Sequence, residues 1–148
     1  MRILLVDDEE IVRRCTARTL SDFDVVTVSG GTEALALLEK DSDFDAVLSD
    51  VMMPRMSGPE LYTRCYQSHP LLAQRFVFAS GNPESARAEL RRAVHSVGAD
   101  VAPILLAKPS PREALMLALF AAAAQSAPCS GTYSVVEPVA PEVTKYRG

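Results

Sequence analysis

A chain of 148 residues, 48% hydrophobic and 23% charged, carries enough apolar side chain for one folded domain with a full core. Its formal net charge of −4 argues against a general nucleic-acid binder, which needs a basic surface. Three cysteines, Cys15, Cys65 and Cys129, form no Cys-x-x-Cys pair; they read as buried or idle thiols in a reducing compartment.

In chain order, Arg2 to Val6 is an apolar run ending in Asp7-Asp8-Glu9-Glu10, which predicts a buried strand. A helix is expected from about Glu9 to Leu20, with Ile11, Val12, Cys15, Thr19 and Leu20 near one face and acidic residues at its start. Val25 to Val28 is a short β-branched strand. Gly30-Gly31 turns the chain, and Thr32 is expected to cap a helix through Leu38. Asp41 to Phe44 is a polar loop before a third strand, Ala46 to Asp50, which Pro54 and Gly58 follow as breakers. A helix over Gly58 to Ser68, with Leu61, Cys65 and Tyr66 inward, leads to a fourth strand, Phe76 to Ser80. Gly81-Asn82-Pro83 stops that strand. A charged helix from Glu84 to Val97 ends at Gly98. Ile104 to Ala107 is the fifth strand, closed by Lys108-Pro109-Ser110-Pro111, and Glu113 to about Gln125 is the last helix. Residues 1–126 are therefore read as the domain. The proline-marked stretch 127–148 is read as a flexible tail with no output domain.

Five short apolar strands alternating with five helices imply an α/β fold, a parallel sheet with helices on both faces. All C-terminal strand ends then lie on one edge, where ligands bind in open α/β sheets. Asp7-Asp8, Asp50, Ser80-Gly81 and Lys108-Pro109 stand on that edge. Singly, each has a plain reading as a turn, cap or exposed residue. Their joint occurrence on four strand ends favours a site. Carboxylates about 4 Å apart repel by roughly 4 kcal/mol at an effective dielectric near 20. One lysine is a small countercharge for three anions, so the cluster calls for a divalent cation, and hard oxygen ligands suit Mg²⁺. A carboxylate beside Mg²⁺, a hydroxyl and an ammonium is suited to accepting a phosphoryl group. Asp50 is the natural nucleophile because it stands alone on the third strand.

With these residues in place, the first 125 residues resemble the receiver domain of two-component response regulators: Asp7-Asp8 after Ile3-Leu4-Leu5-Val6, Asp50 ahead of Met52-Met53-Pro54 and Gly58, Ser80-Gly81, and Lys108-Pro109. The resemblance implies a flavodoxin-like, doubly wound five-stranded sheet of order 2-1-3-4-5, an order that the chemotaxis receiver also has. It implies that Asp50 takes a phosphoryl group from the phosphohistidine of a histidine kinase or phosphotransfer protein. It further implies that Asp8, Asp50 and the Met52 carbonyl hold Mg²⁺ directly, Asp7 through water, that Ser80 and Lys108 sense the phosphoryl group, and that the bond before Pro109 is cis. Two positions depart from the family: Leu105 and Ser110 stand where aromatic residues are usual. The segment between Ser80 and Lys108 is also longer than usual, and its Val101-Ala102-Pro103 resembles receivers attached to hybrid sensor kinases.

Two other functions fit part of the pattern. A phosphatase of the haloacid-dehalogenase type also uses a strand-end Asp with Mg²⁺, but needs a second Asp where this chain has Met52. A receiver fold that signals without phosphorylation is compatible with Leu105 and Ser110, while the intact acidic cluster argues against it. A dinucleotide site lacks the Gly-x-Gly-x-x-Gly after the first strand. His69 and His95 read as ordinary histidines, and Arg87, Arg91 and Arg92 as a solvated helix face. The last helix, apolar on more than one side, reads either as a core helix or as a docking face. No signal peptide precedes the first strand, and Ala114 to Ala124 falls short of the roughly 20 apolar residues that span a bilayer. A cytoplasmic chain without membrane insertion is expected.

Overall fold

Five apolar runs become five strands, β1 (Arg2–Val6), β2 (Asp24–Val28), β3 (Ala46–Asp50), β4 (Phe76–Ser80) and β5 (Ile104–Ala107), in a computed structural model that describes residues 1–125. They form one parallel sheet of order β2-β1-β3-β4-β5, as expected for the flavodoxin-like fold. The near-continuous apolar character of β1, β3 and β4 follows from burial on both faces. The expected tail over 127–148, with Cys129, lies outside the described residues.

Six helices are described, one more than expected: α1 (Glu10–Thr19), α2 (Gly31–Leu38), α3 (Gly58–Ser68), α4 (Pro70–Ala73), α5 (Pro83–Val97) and α6 (Arg112–Ala123). The addition is the single turn α4. His69, before a proline, leaves helical geometry at φ −137° and ψ 66°, and Pro70 restarts a helix where its missing N–H is harmless. Ser57 and Asn82 cap α3 and α5 by accepting from Glu60 N–H and Ser85 N–H. Gly98 ends α5 in the left-handed region at φ 63°. The expected Thr32 cap is not formed. Thr32 lies inside α2, Gly30 is the N-cap, and the Glu33 carboxylate reaches back to accept from Ser29 N–H and Oγ–H.

The sheet divides the core. On one face Leu4, Val6, Val47, Phe76 and Phe78 pack with Leu61, Tyr62, Ala86 and Leu90 of α3 and α5. On the other, Ile3, Leu5, Leu48, Val77 and Leu106 pack with Leu115, Ala118, Leu119 and Ala122 of α6. So α6 is a core helix on its inner side, while Leu117 and Phe120 are exposed. Of the α1 positions expected on one face, Ile11, Val12, Cys15 and Thr19 line one groove, but that face is not buried. No residue of α1 is fully buried, Ile11 is 78% exposed and Cys15 is exposed; Leu20, past its end, is fully buried, and Ala17 packs against the same core. Val12, Thr16 and Thr19 face the sheet across a groove of about 430 Å³ that separates α1 from α6. Cys65 is fully buried, and burial pushes its thiol up to about 12, so it stays protonated. Among the described residues, no helix is long and apolar enough to cross a membrane.

Candidate functional site

Parallel pairing brings the carboxyl ends of β1, β3, β4 and β5 side by side. Val6 pairs with Ser49, Asp50 with Ala79, and Ser80 with Ala107. The six sequence-predicted positions then divide. Asp7, Asp8 and Asp50 each offer a carboxylate oxygen within 4.8 Å of the others. Lys108 joins them from β5: its Nζ lies 3.0 Å from Asp7 Oδ2 and 3.4 Å from Asp50 Oδ2. Ser80 is buried at the end of β4, where its Oγ accepts from Asn82 N–H at 3.1 Å. Met52 is exposed on the β3–α3 loop.

The backbone fixes most of these groups. Asp50 Oδ1 accepts from Val51 N–H at 2.8 Å, which leaves Oδ2 facing the lysine. Asp7 Oδ1 accepts from Glu9 N–H at 2.9 Å. Lys108 N–H donates to Ser80 O at 2.8 Å, and the Lys108–Pro109 bond is cis. Gly58 lets α3 start against β3, because a Cβ there would lie 2.2 Å from Asp50 O. Arg55, at φ 67°, turns the loop between them. Arg13, absent from the motif, donates through Nη1 to Asp7 O at 2.7 Å. A helix arginine six residues along gives no spacing signal for such a contact.

Electrostatics follow from this packing. Burial raises the Asp50 carboxyl above the ordinary aspartate range, against the pull of Lys108 and with a push from Asp7. Burial alone would lower the Lys108 ammonium, but the hydrogen bond to Asp7 and the charges of Asp50 and Asp7 outweigh it, so the net shift is upward. Asp8 Oδ1 is buried and has no hydrogen-bond partner. A buried carboxylate oxygen without a donor is costly unless a cation reaches it. Three hard oxygen donors, one of them orphaned, therefore fit a divalent cation such as Mg²⁺.

The two family departures also have places. Leu105 is half-buried on β5, in register with Phe78, and Ser110 turns its Oγ back to Ala107 O at 2.6 Å. Of the histidines, His95 is exposed and His69 sits between α3 and α4, neither at the site. Arg91 and Arg92 are exposed on α5.

Known proteins share this sequence and architecture. The chain is 39% identical over 87 residues to the sensor kinase CckA of Brucella abortus, a stretch that is 57% of this chain and 9% of that protein. It is 44% identical over 63 residues to the response regulator MprA of Mycobacterium leprae, 41% of this chain and 27% of that one. The chain thus spans only a small part of the length of these relatives. The solved structure of the chemotaxis protein CheY4 of Vibrio cholerae superposes with a TM-score of 0.66 at 31% identity, covering 82% of this chain and 97% of that one. Residues 3–120 match the response regulator receiver domain, and the chain belongs to that family of two-component signalling receivers.

Proposed function

We propose that Asp50 accepts a phosphoryl group from a histidine of a partner kinase or phosphotransfer protein, with Mg²⁺ bound, and that the aspartyl phosphate changes which proteins the chain contacts. The observation that carries this reading is the Asp50 carboxylate held by Val51 N–H, with the Lys108 ammonium 3.4 Å from its free oxygen and the Asp8 carboxylate, which has an orphaned oxygen, in the same cluster. Asp50 Oδ2 attacks phosphorus. A P–O bond forms as the donor's P–N bond breaks, and the histidine nitrogen leaves with the electron pair. Lys108 Nζ is within reach of an oxygen of the transferred group. The Ser80 hydroxyl accepts from Asn82 N–H, which leaves its own proton free to donate to a second oxygen. Asp8, Asp50 and the Met52 carbonyl would hold Mg²⁺ directly and Asp7 through water, and the ion supplies the positive charge that offsets repulsion between acceptor and phosphoryl group.

On this reading the chain is a stoichiometric acceptor in the cytoplasm rather than a turnover enzyme. Its resemblance to part of a sensor kinase supports a histidine kinase partner. The test is intact mass after incubation with Mg²⁺ and acetyl phosphate. One added phosphoryl group is expected in the wild type, with none in Asp50→Asn or in EDTA. If acetyl phosphate and a donor histidine kinase both fail to modify a chain that binds Mg²⁺, the reading gives way to a receiver fold that signals unphosphorylated.

A further inference from the structure

Asp8 carries the one orphaned oxygen among the buried side-chain atoms of the described residues, so whatever aims it matters. Both peptide groups that flank Asp8 are pinned. The carbonyl of the Asp7–Asp8 peptide accepts from Arg13 Nη1 at 2.7 Å. The N–H of the Asp8–Glu9 peptide donates to Asp7 Oδ1 at 2.9 Å. Asp7 is itself tied at every other polar atom: its N–H donates to Val28 O at 3.3 Å and its Oδ2 accepts from Lys108. Arg13 thus supplies the tie that comes from α1. Arg13 N–H also donates to Glu9 O, which closes the first turn of the helix onto the loop.

We infer that Arg13 is a positioning residue for the divalent cation: by fixing the Asp7–Asp8 peptide, it holds the unpaired Asp8 oxygen in the direction from which it binds the metal. The inference rests on the Mg²⁺ reading above. Two effects of the guanidinium oppose each other, which makes the sign of the outcome decisive. Its charge repels a divalent cation, so removing it would tighten binding if field alone mattered. Its hydrogen bond preorganises the carboxylate, so removing it would weaken binding if orientation dominated. Outer partners of metal ligands are typically worth about 10-fold or more in affinity, and orientation is expected to win.

The experiment is isothermal titration of Mg²⁺ into the wild type, Arg13→Met, Arg13→Lys and the control Asp8→Asn, with metal-free thermal unfolding recorded for each. Arg13→Met is expected to weaken Mg²⁺ binding about tenfold, and Arg13→Lys, which keeps a charged donor, to recover most of the loss. In acetyl phosphate assays the half-saturating Mg²⁺ concentration should rise by the same factor, while the rate at saturating Mg²⁺ stays near wild type. A merely structural role would not produce that split. Arg13→Gln, polar and shorter, gives a second reading should Met impair folding. Wild-type or tighter Mg²⁺ binding by a folded Arg13→Met or Arg13→Gln overturns the inference. A wild type that binds no Mg²⁺ overturns the underlying reading instead.

Discussion

Gly58→Ala tests how the acceptor is held. The new Cβ would lie 2.2 Å from Asp50 O, 2.9 Å from a Phe78 ring carbon and 3.1 Å from Val51 Cα, and real Cβ contacts essentially never fall below 3.0 Å. Backbone must therefore separate from backbone by about 0.8 Å between the start of α3 and the Asp50–Val51 peptide, which loosens the packing that holds the acceptor. Gly58 has no positive φ, so the effect is steric and not conformational. Overpacking of this kind costs about 3 kcal/mol. Alanine's better helix propensity at the start of α3 returns at most about 1 kcal/mol. A net loss near 2 kcal/mol lowers the unfolding temperature of a domain this size by about 8 °C. The displaced acceptor should also be phosphorylated more slowly, by about 10- to 100-fold, since misplacement near 1 Å costs that much. Circular dichroism melts and intact-mass time courses with acetyl phosphate measure both. Adding Phe78→Leu removes the ring contact but not the 2.2 Å backbone contact, so it should not rescue. An alanine variant that melts within about 2 °C of wild type and is phosphorylated at the wild-type rate would refute the reasoning.

The same structure makes two further predictions. Because burial raises the Asp50 carboxyl, its ionisation opposes folding: the stability this group contributes is present below its unfolded pKa and is lost as pH rises through the folded value. Asp50→Asn, free of that loss, should melt higher than wild type at pH 7 without Mg²⁺, with the gap closing below about pH 4; a lower melt at pH 7 would contradict the sign. Leu119→Ala, at a fully buried α6 position, should cost about 3 kcal/mol in urea unfolding. Leu117→Ala, at a position 70% exposed, should stay within about 0.5 kcal/mol. Equal losses would mean that the outer face of α6 is covered in solution.

Much of the site is legible in the sequence. Asp7, Asp50, Ser80 and Lys108 each directly follow or close an apolar run, with Asp8 next to Asp7, and a parallel sheet has one carboxyl edge on which such residues must meet. The ends of β3, α3, β4 and β5 fall where charge, proline or glycine interrupts the pattern. Other features had no such signal. Ile11 and Cys15 share the helical spacing of an inward face, yet both are exposed, because α1 stands off α6 across a groove and periodicity does not report what the facing element supplies. Thr32 does not cap because the helix starts at Gly31, with Gly30 at the N-cap and Thr32 already inside the first turn.

A parallel α/β sheet and the groups at its carboxyl edge follow from apolar runs and their charged or glycine-rich ends, which are local properties of the chain. Long-range packing is what sets Lys108 between Asp7 and Asp50, leaves Asp8 Oδ1 without a donor, and brings Arg13 to the Asp7 carbonyl. Lys108 and Asp7 are 101 residues apart, and a 3.0 Å contact across that separation depends on register, crossover and burial acting together. Those are properties of the packed fold, which no local pattern encodes.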